Sequence, residues 1–292
     1  MTLSPEQWQV IGWDGITVRV PPQWQPTVIL RDYLFFEHEG RPVLEMKWHH
    51  AGRRFAPDRV LRKIDKTLGQ GGAGLREWFF PPALEELLHP FTVTGFAFRE
   101  GSLDSRGLLL YCPACGRATL LHFHDIPGEE RTMNLVLSSF RDHADGDDLL
   151  WAVYDIRAVL PAAAKLRAHE FLVGRFTLTF SLDDSDLTLL RFKPAAALLN
   201  NRDLCAFGAS LADPARPADT HAPDSCTWME EARGPKRLLR RLQRKPVWTW
   251  LKIWHIADEN VILGAKGEGK RGAPEATIME DIHGRYTARP AP

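Results

Sequence analysis

Long apolar runs are missing from this chain. No stretch of its 292 residues approaches the roughly 18–20 needed to cross a bilayer as a helix. The N-terminus lacks a basic segment followed by an apolar core; it reads Leu3, Ser4, Pro5, Glu6, Gln7, Trp8. A secretory leader is therefore not expected, and the expected compartment is the cytoplasm. Cysteine is scarce: Cys112, Cys115, Cys205 and Cys226 are the only four, too few in a chain this long for a disulfide framework. Net charge is absent too, with 37 basic and 37 acidic side chains. That balance excludes a general nucleic-acid coat and a strongly acidic solvating protein. Also missing are Gly-x-Ser-x-Gly, His-Glu-x-x-His and a dinucleotide fingerprint, so no complete catalytic set is present and an enzyme is not the favoured expectation.

What is present is an ordinary globular composition, 44% apolar and 25% charged, at a length that suits one large domain or two of about 150 residues. Ten tryptophans favour packed sheet faces. The zero net charge hides a division. Residues 1–155 carry 16 basic and 21 acidic side chains, a balance of −5, and residues 156–292 carry 21 and 16, a balance of +5. An attractive contact between the halves, or head-to-tail pairing of two chains, follows as a possibility at low salt.

Two stretches read alike. Gly15 to Pro21 leads to strands at Tyr33–Phe36 and Val43–Trp48, where Leu44, Met46 and Trp48 alternate with Glu45 and Lys47. A helix is expected from Pro57, with Val60, Leu61, Ile64 and Leu68 as its apolar stripe. Asp155 to Pro161 leads to strands at Phe171–Phe180 and Leu187–Phe192, then a helix from Pro194. Further on, Leu110 to Leu120 aligns without a gap on Ile253 to Leu263, each reading as a β-hairpin. The first half closes with a helix at Met133–His143. The expected organisation is an internal duplication: an α+β unit at 1–150, a second at 151–270, and a flexible C-terminal tail at 271–292.

The opening Ile16-Thr-Val-Arg-Val-Pro21-Pro22-Gln-Trp24, followed by two strands, a helix and a meander hairpin, resembles the PsbP-like fold. The resemblance implies two tandem α/β/α sandwich-like units, each an antiparallel sheet flanked by helices. It also implies a protein that binds or assists partners and does not catalyse. It carries no functional residues over.

Cys112-Pro113-Ala114-Cys115-Gly116 is the most specific motif. Cys-x-x-Cys-Gly in a tight turn has the form of a zinc knuckle. His122 and His124 extend it to Cys-x2-Cys-x6-His-x-His, although on a strand both imidazoles share a face at some distance from the turn. The repeat alignment offers another completion, with His255 opposite Cys112 and Asp258 opposite Cys115. A thiol-redox role is the alternative, but the strand-like flanks lack the helix N-terminus that lowers a thiol pKa. The plainest reading is a structural turn.

The second feature is a basic run: Lys236, Arg237, Arg240, Arg241 and Arg244, with Leu238, Leu239 and Leu242 giving a short helix an apolar side. Such a helix can meet a protein partner or a polyanion. A solvated face that pairs with the protein's own carboxylates is the plainer expectation. Gly69 to Gly74 lacks the end of a phosphate loop. Asp142, Asp145, Asp147 and Asp148 lack the closing glutamate of a calcium loop. The expected function is a non-catalytic, partner-binding accessory protein. The alternatives are a Zn2+- or thiol-dependent protein at Cys112 and Cys115, or a nucleic-acid-associated protein using the basic helix.

Overall fold

Asp14 and Gly15 both have positive φ, 51° and 84°, the turn whose twist matches that of antiparallel strands. They join β1 (Gln9–Trp13) to β2 (Ile16–Val20). The computed structural model describes residues 7–52, 55–69, 74–79, 82–100, 103–124, 130–144, 146–182, 184–212, 216–217, 224–270 and 276–288. Among these, one compact unit comprises the residues up to Gly146 with Ala152–Tyr154. The other comprises Asp147–Trp151 and the residues from Asp155 onward.

In the first unit, β3 (Gln25–Leu30), β4 (Tyr33–His38), β5 (Arg41–His50), β6 (Arg76–Glu77), β7 (Thr92–Glu100), β8 (Leu103–Tyr111) and β9 (Arg117–Phe123) form one antiparallel sheet. Its order is β3-β4-β5-β9-β8-β7-β6. The alternation expected in β5 is present: Leu44, Met46 and Trp48 are buried while Glu45 and Lys47 face the other way. Trp13 donates its indole N–H to the Leu30 carbonyl at 2.8 Å, which ties the β1–β2 hairpin to this sheet. Helices α1 (Pro57–Gly69), α2 (Pro82–Leu87) and α3 (Glu130–Ser139) complete the unit, and α3 buries Met133, Val136 and Leu137.

Strand β10 (Asp148–Val153) falls at the division, and β11 (Ile156–Pro161) follows. In the second unit, β12 (Lys165–Leu172), β13 (Arg175–Leu182), β14 (Ser185–Phe192), β15 (Arg216–Pro217), β16 (Ser225–Glu231), β17 (Trp248–Ile256) and β18 (Val261–Gly269) form another seven-stranded sheet. Its order is β12-β13-β14-β18-β17-β16-β15, the first sheet's order strand for strand. Phe192, Trp228, Leu251, Ile253 and Ile262 form its core. Helices α4 (Ala195–Leu199), α5 (Leu204–Ala209), α6 (Gly234–Leu242) and α7 (Ala276–Arg285) and the short strand β19 (Tyr286–Thr287) accompany it.

Four expectations are corrected. The α+β reading, with helices flanking each sheet, gives way to a mostly β chain, about 51% strand and 23% helix. The physical reason is that the helices are short and bury little. No residue of α6 is buried, and Val60, Leu61 and Ile64 on α1 are only half-buried. The strand expected at Phe171–Phe180 is two strands, turned at Gly174 with φ 84°. The helix expected from Pro194 is two helices, parted where Asn200 and Asn201 take positive φ. The tail expected to be flexible carries α7 and β19, where Ile282 and Tyr286 are buried and the Tyr286 hydroxyl donates to the Leu190 carbonyl at 3.0 Å. Residues 271–275 and 289–292 of that tail lie outside the described residues, as do Gly71 to Ala73 and Asp145.

Candidate metal centre

Where β8 ends, Cys112 donates its N–H to the Arg117 carbonyl at 2.9 Å and Gly116 donates to the Cys112 carbonyl at 2.9 Å. Gly116 has φ +72°, and the His50 ring stands 3.0 Å from where a Cβ would lie. The backbone conformation therefore favours glycine here, and a side chain would also press on the His50 ring. Tyr111 pairs with Ala118 across this turn, whereas Ile256 pairs with Val261 across the matching turn of the second unit. With the Cys112–Arg117 bond counted, four residues separate the strands in both turns, and the two hairpins match one residue out of step with the expected alignment, so that Tyr111 opposite Ala118 corresponds to His255 opposite Ile262. His255 lies in the ladder opposite Ile262, so it is not the structural counterpart of Cys112.

The partners of the cysteines come from the turn after α3. That helix stops at Ser139, and Arg141 exchanges both backbone hydrogen bonds with Thr17 at 2.8 and 2.9 Å. The helix expected to run to His143 is thus cut short, and Asp142 and His143 are turned toward the cysteines. Arg117 fixes the turn by donating from Nη1 to the Asp142 carbonyl at 2.5 Å. Asp142 is only 2% exposed.

Cys115 Sγ lies 3.0 Å from Asp142 Oδ2, Cys112 Sγ lies 3.9 Å from His143 Nδ1, and that nitrogen lies 2.6 Å from Asp142 Oδ1. One ligand atom from each of the four residues falls within 4.8 Å of all the others. Tetrahedral zinc, with bonds of about 2.0–2.3 Å, sets its ligand atoms roughly 3.3–3.8 Å apart. The two sulfur distances bracket that range, and the Asp142–His143 pair needs to part by less than about 1 Å to meet it.

Two other chemistries fit less well. In a Cys–His–Asp relay the imidazole uses one nitrogen for the thiol and the other for the carboxylate. Here His143 Nδ1 is the atom near both. Burial first, then the hydrogen bond to Asp142, push the Cys115 thiol up to about 12, the reverse of what a nucleophilic or redox thiol needs. A bound cation inverts that situation, because it holds its thiol ligand as thiolate.

The other candidate residues lie elsewhere. His122 and His124 share a face of β9, as alternation requires, and it is the face of Glu45 on β5. They do not join the cysteines. His255 and Asp258 belong to the second unit, Asp258 in a 3-10 turn at Ala257–Glu259, and neither enters a ligand cluster among the described residues. Cys205 on α5 and Cys226 on β16 form a disulfide, Cα to Cα 5.6 Å. Their spacing in the sequence gave no signal of it.

The basic helix is α6. Lys236 and Arg240 both donate to Glu230, at 2.5 and 2.9 Å, and Arg240 also donates to the Pro246 carbonyl. Arg237 is half-buried. Arg241 and Arg244, with Lys245 and Lys270, line an open cleft of about 590 Å³. Leu238, Leu239 and Leu242 face solvent, 64%, 54% and 76% exposed. No helix among the described residues is long and apolar enough to cross a membrane.

No family model matches this chain, and no curated protein matches it. Among solved structures it is similar to a protein from Bacteroides thetaiotaomicron at 11% identity and a TM-score of 0.32, over 53% of each chain, so it spans about half of that protein's length.

Proposed function

We propose that this is a non-catalytic binding protein whose first unit is locked by one structural Zn2+ held by Cys112, Cys115, Asp142 and His143. The convergence of those four ligand atoms within 4.8 Å carries the reading. The set is complete with four donors of types zinc accepts, and a closed set of four is the structural form of a zinc site. Two chain segments meet there: the β8–β9 turn supplies the thiolates and, at its end, Arg117, which braces the turn after α3, the source of the carboxylate and imidazole. Closing that junction stabilises the unit by the metal's binding free energy. The test is metal content of protein purified without added metal. At least about one equivalent of zinc is expected, falling by about one equivalent in Cys115→Ser, and less than about 0.2 equivalents in the wild type would overturn the proposal.

A second reading concerns where a partner binds. The exposed leucines of α6 favour apolar contact with a protein surface, since Lys236 and Arg240 are already engaged by Glu230. The nucleic-acid alternative needs those cations free for phosphate. Retention on DNA that falls steeply with salt and is lost in an Arg240→Glu, Arg241→Glu variant would replace the protein-partner reading. The Cys205–Cys226 disulfide weighs against the cytoplasm, since such bonds persist mainly in oxidising compartments.

A further inference from the structure

On the other face of β5 from the first unit's buried Leu44, Met46 and Trp48, a carboxylate and two imidazoles converge. Glu45 Oε2 is 3.2 Å from His122 Nδ1 and 3.9 Å from His124 Nε2, and one ligand atom from each of the three lies within 4.8 Å of the others. The register produces this placement: Glu45 stands directly opposite His122 in the β5–β9 ladder, and His124 follows two residues on, on the same face. We propose that Glu45, His122 and His124 form a second metal site, one that takes a divalent transition ion and leaves coordination positions open.

Several observations beyond proximity support this. The Nε2 atoms of both histidines are buried and find no hydrogen-bond partner among the described residues. Buried imidazole nitrogens without a partner are costly in a site that only stabilises the fold. The walls are aromatic: Phe98 lies 5.0 Å from the His122 ring and Phe35 meets the His124 ring edge-on at 5.9 Å. The Tyr33 phenol lies beside the Glu45 carboxylate, where an outer partner of a carboxylate ligand stands.

The donor set decides the class of ion. Two imidazoles and one carboxylate suit zinc, iron(II), cobalt(II) and nickel(II) better than calcium or magnesium, which take oxygen ligands. Three protein ligands leave at least one position for water or a small anion, in contrast to the closed four-donor set at Cys112. The two sites share no residue, so either can fail without the other.

The test uses the full-length, chelator-stripped protein titrated anaerobically with Co2+. Cobalt at the cysteine site shows a thiolate charge-transfer band; cobalt at Glu45, His122 and His124 does not. About one equivalent without that band is expected in the wild type and in Cys112→Ser, Cys115→Ser protein, with its affinity lowered at least about 10-fold in Glu45→Gln and in His124→Asn. NMR of the wild type gives a reading that needs no variant: Co2+ should shift or broaden the ring protons of His122 and His124. The inference is overturned if all bound cobalt carries the thiolate band, if the band-free equivalent binds as tightly in folded Glu45→Gln, or if those ring protons are unmoved.

Discussion

Trp48, on β5, donates its indole N–H to the carboxylate of Asp14 at 3.0 Å, so the two-residue turn between β1 and β2 satisfies a buried donor from another sheet. Trp48 is 1% exposed. Asp14 has a double duty, since it also takes positive φ in the turn. Asp14→Ala removes the acceptor and puts a Cβ-bearing apolar residue into a left-handed position, at a cost of about 2 kcal/mol. Asp14→Asn, which keeps an acceptor and tolerates that backbone, should cost less. Urea unfolding followed by tryptophan fluorescence measures both; equal loss in the two variants would show that the hydrogen bond contributes nothing.

Arg117 is the brace of the proposed zinc site, because its guanidinium holds the Asp142 carbonyl while standing 3.9 Å from Asp14. Arg117→Gln should weaken zinc roughly 10- to 100-fold while leaving stoichiometry at saturation unchanged. Competition with a chromophoric chelator reads this directly. A variant that binds zinc as tightly as the wild type would remove Arg117 from the site.

Glu230 responds to pH in a defined direction. Burial acts to raise its pKa, but the hydrogen bonds from Lys236 and Arg240 outweigh that and hold the carboxyl below the usual glutamate range. A group lowered on folding stabilises the folded state above its unfolded pKa, about 4.3, and that contribution is lost as pH falls through the lower folded value. Glu230→Gln should therefore destabilise the second unit by about 2 kcal/mol at neutral pH, and the difference from wild type should shrink toward zero in acid. A difference that stays constant across the range would place the effect in packing instead of charge.

Gly208 sits in α5, where exchange for alanine ordinarily stabilises a helix by about 1 kcal/mol. Here a Cβ would stand 2.2 Å from the buried Trp228 ring and 2.4 Å from Ile253. Overpacking of that kind costs about 1–3 kcal/mol, so Gly208→Ala should lower the melting temperature. A higher melting temperature would mean that Trp228 moves aside freely.

Some of this was legible in the residues. The alternation of Leu44, Met46 and Trp48 marked β5, Pro57 marked the start of α1, and Cys-x-x-Cys-Gly marked the turn that carries the thiols. The rest depended on tertiary partners. Asp142 and His143 were placed at the end of a helix because no Gly or Pro interrupts Met133–His143. What ends α3 is the pairing of Arg141 with Thr17, more than a hundred residues away. Glu45 and His122 met only through strand register. Val173-Gly174 went unread inside an apolar run, although Gly174 takes positive φ, and so did Asp14-Gly15, although that dipeptide is a strong hairpin signal. The Cys205–Cys226 bond had no local signature, because α5 and β16 bring the two together from positions 21 apart.

The shared strand order has a kinetic consequence. Each seven-stranded sheet consists of two locally connected runs, β3-β4-β5 and β6 to β9 in one unit, β12-β13-β14 and β15 to β18 in the other. They meet along one seam, β5 with β9 and β14 with β18. Within each run neighbouring strands are close in sequence, but the seam joins Leu44 to Phe123 and Ser185 to Gly269, so loop-closure entropy concentrates there. The seam is where each unit's rate-limiting step should lie, with substitutions along it slowing folding and those on the outer strands mainly speeding unfolding. In the first unit the cysteine turn opens directly into β9, so a zinc ion bound there would hold one side of that seam in place before the other arrives.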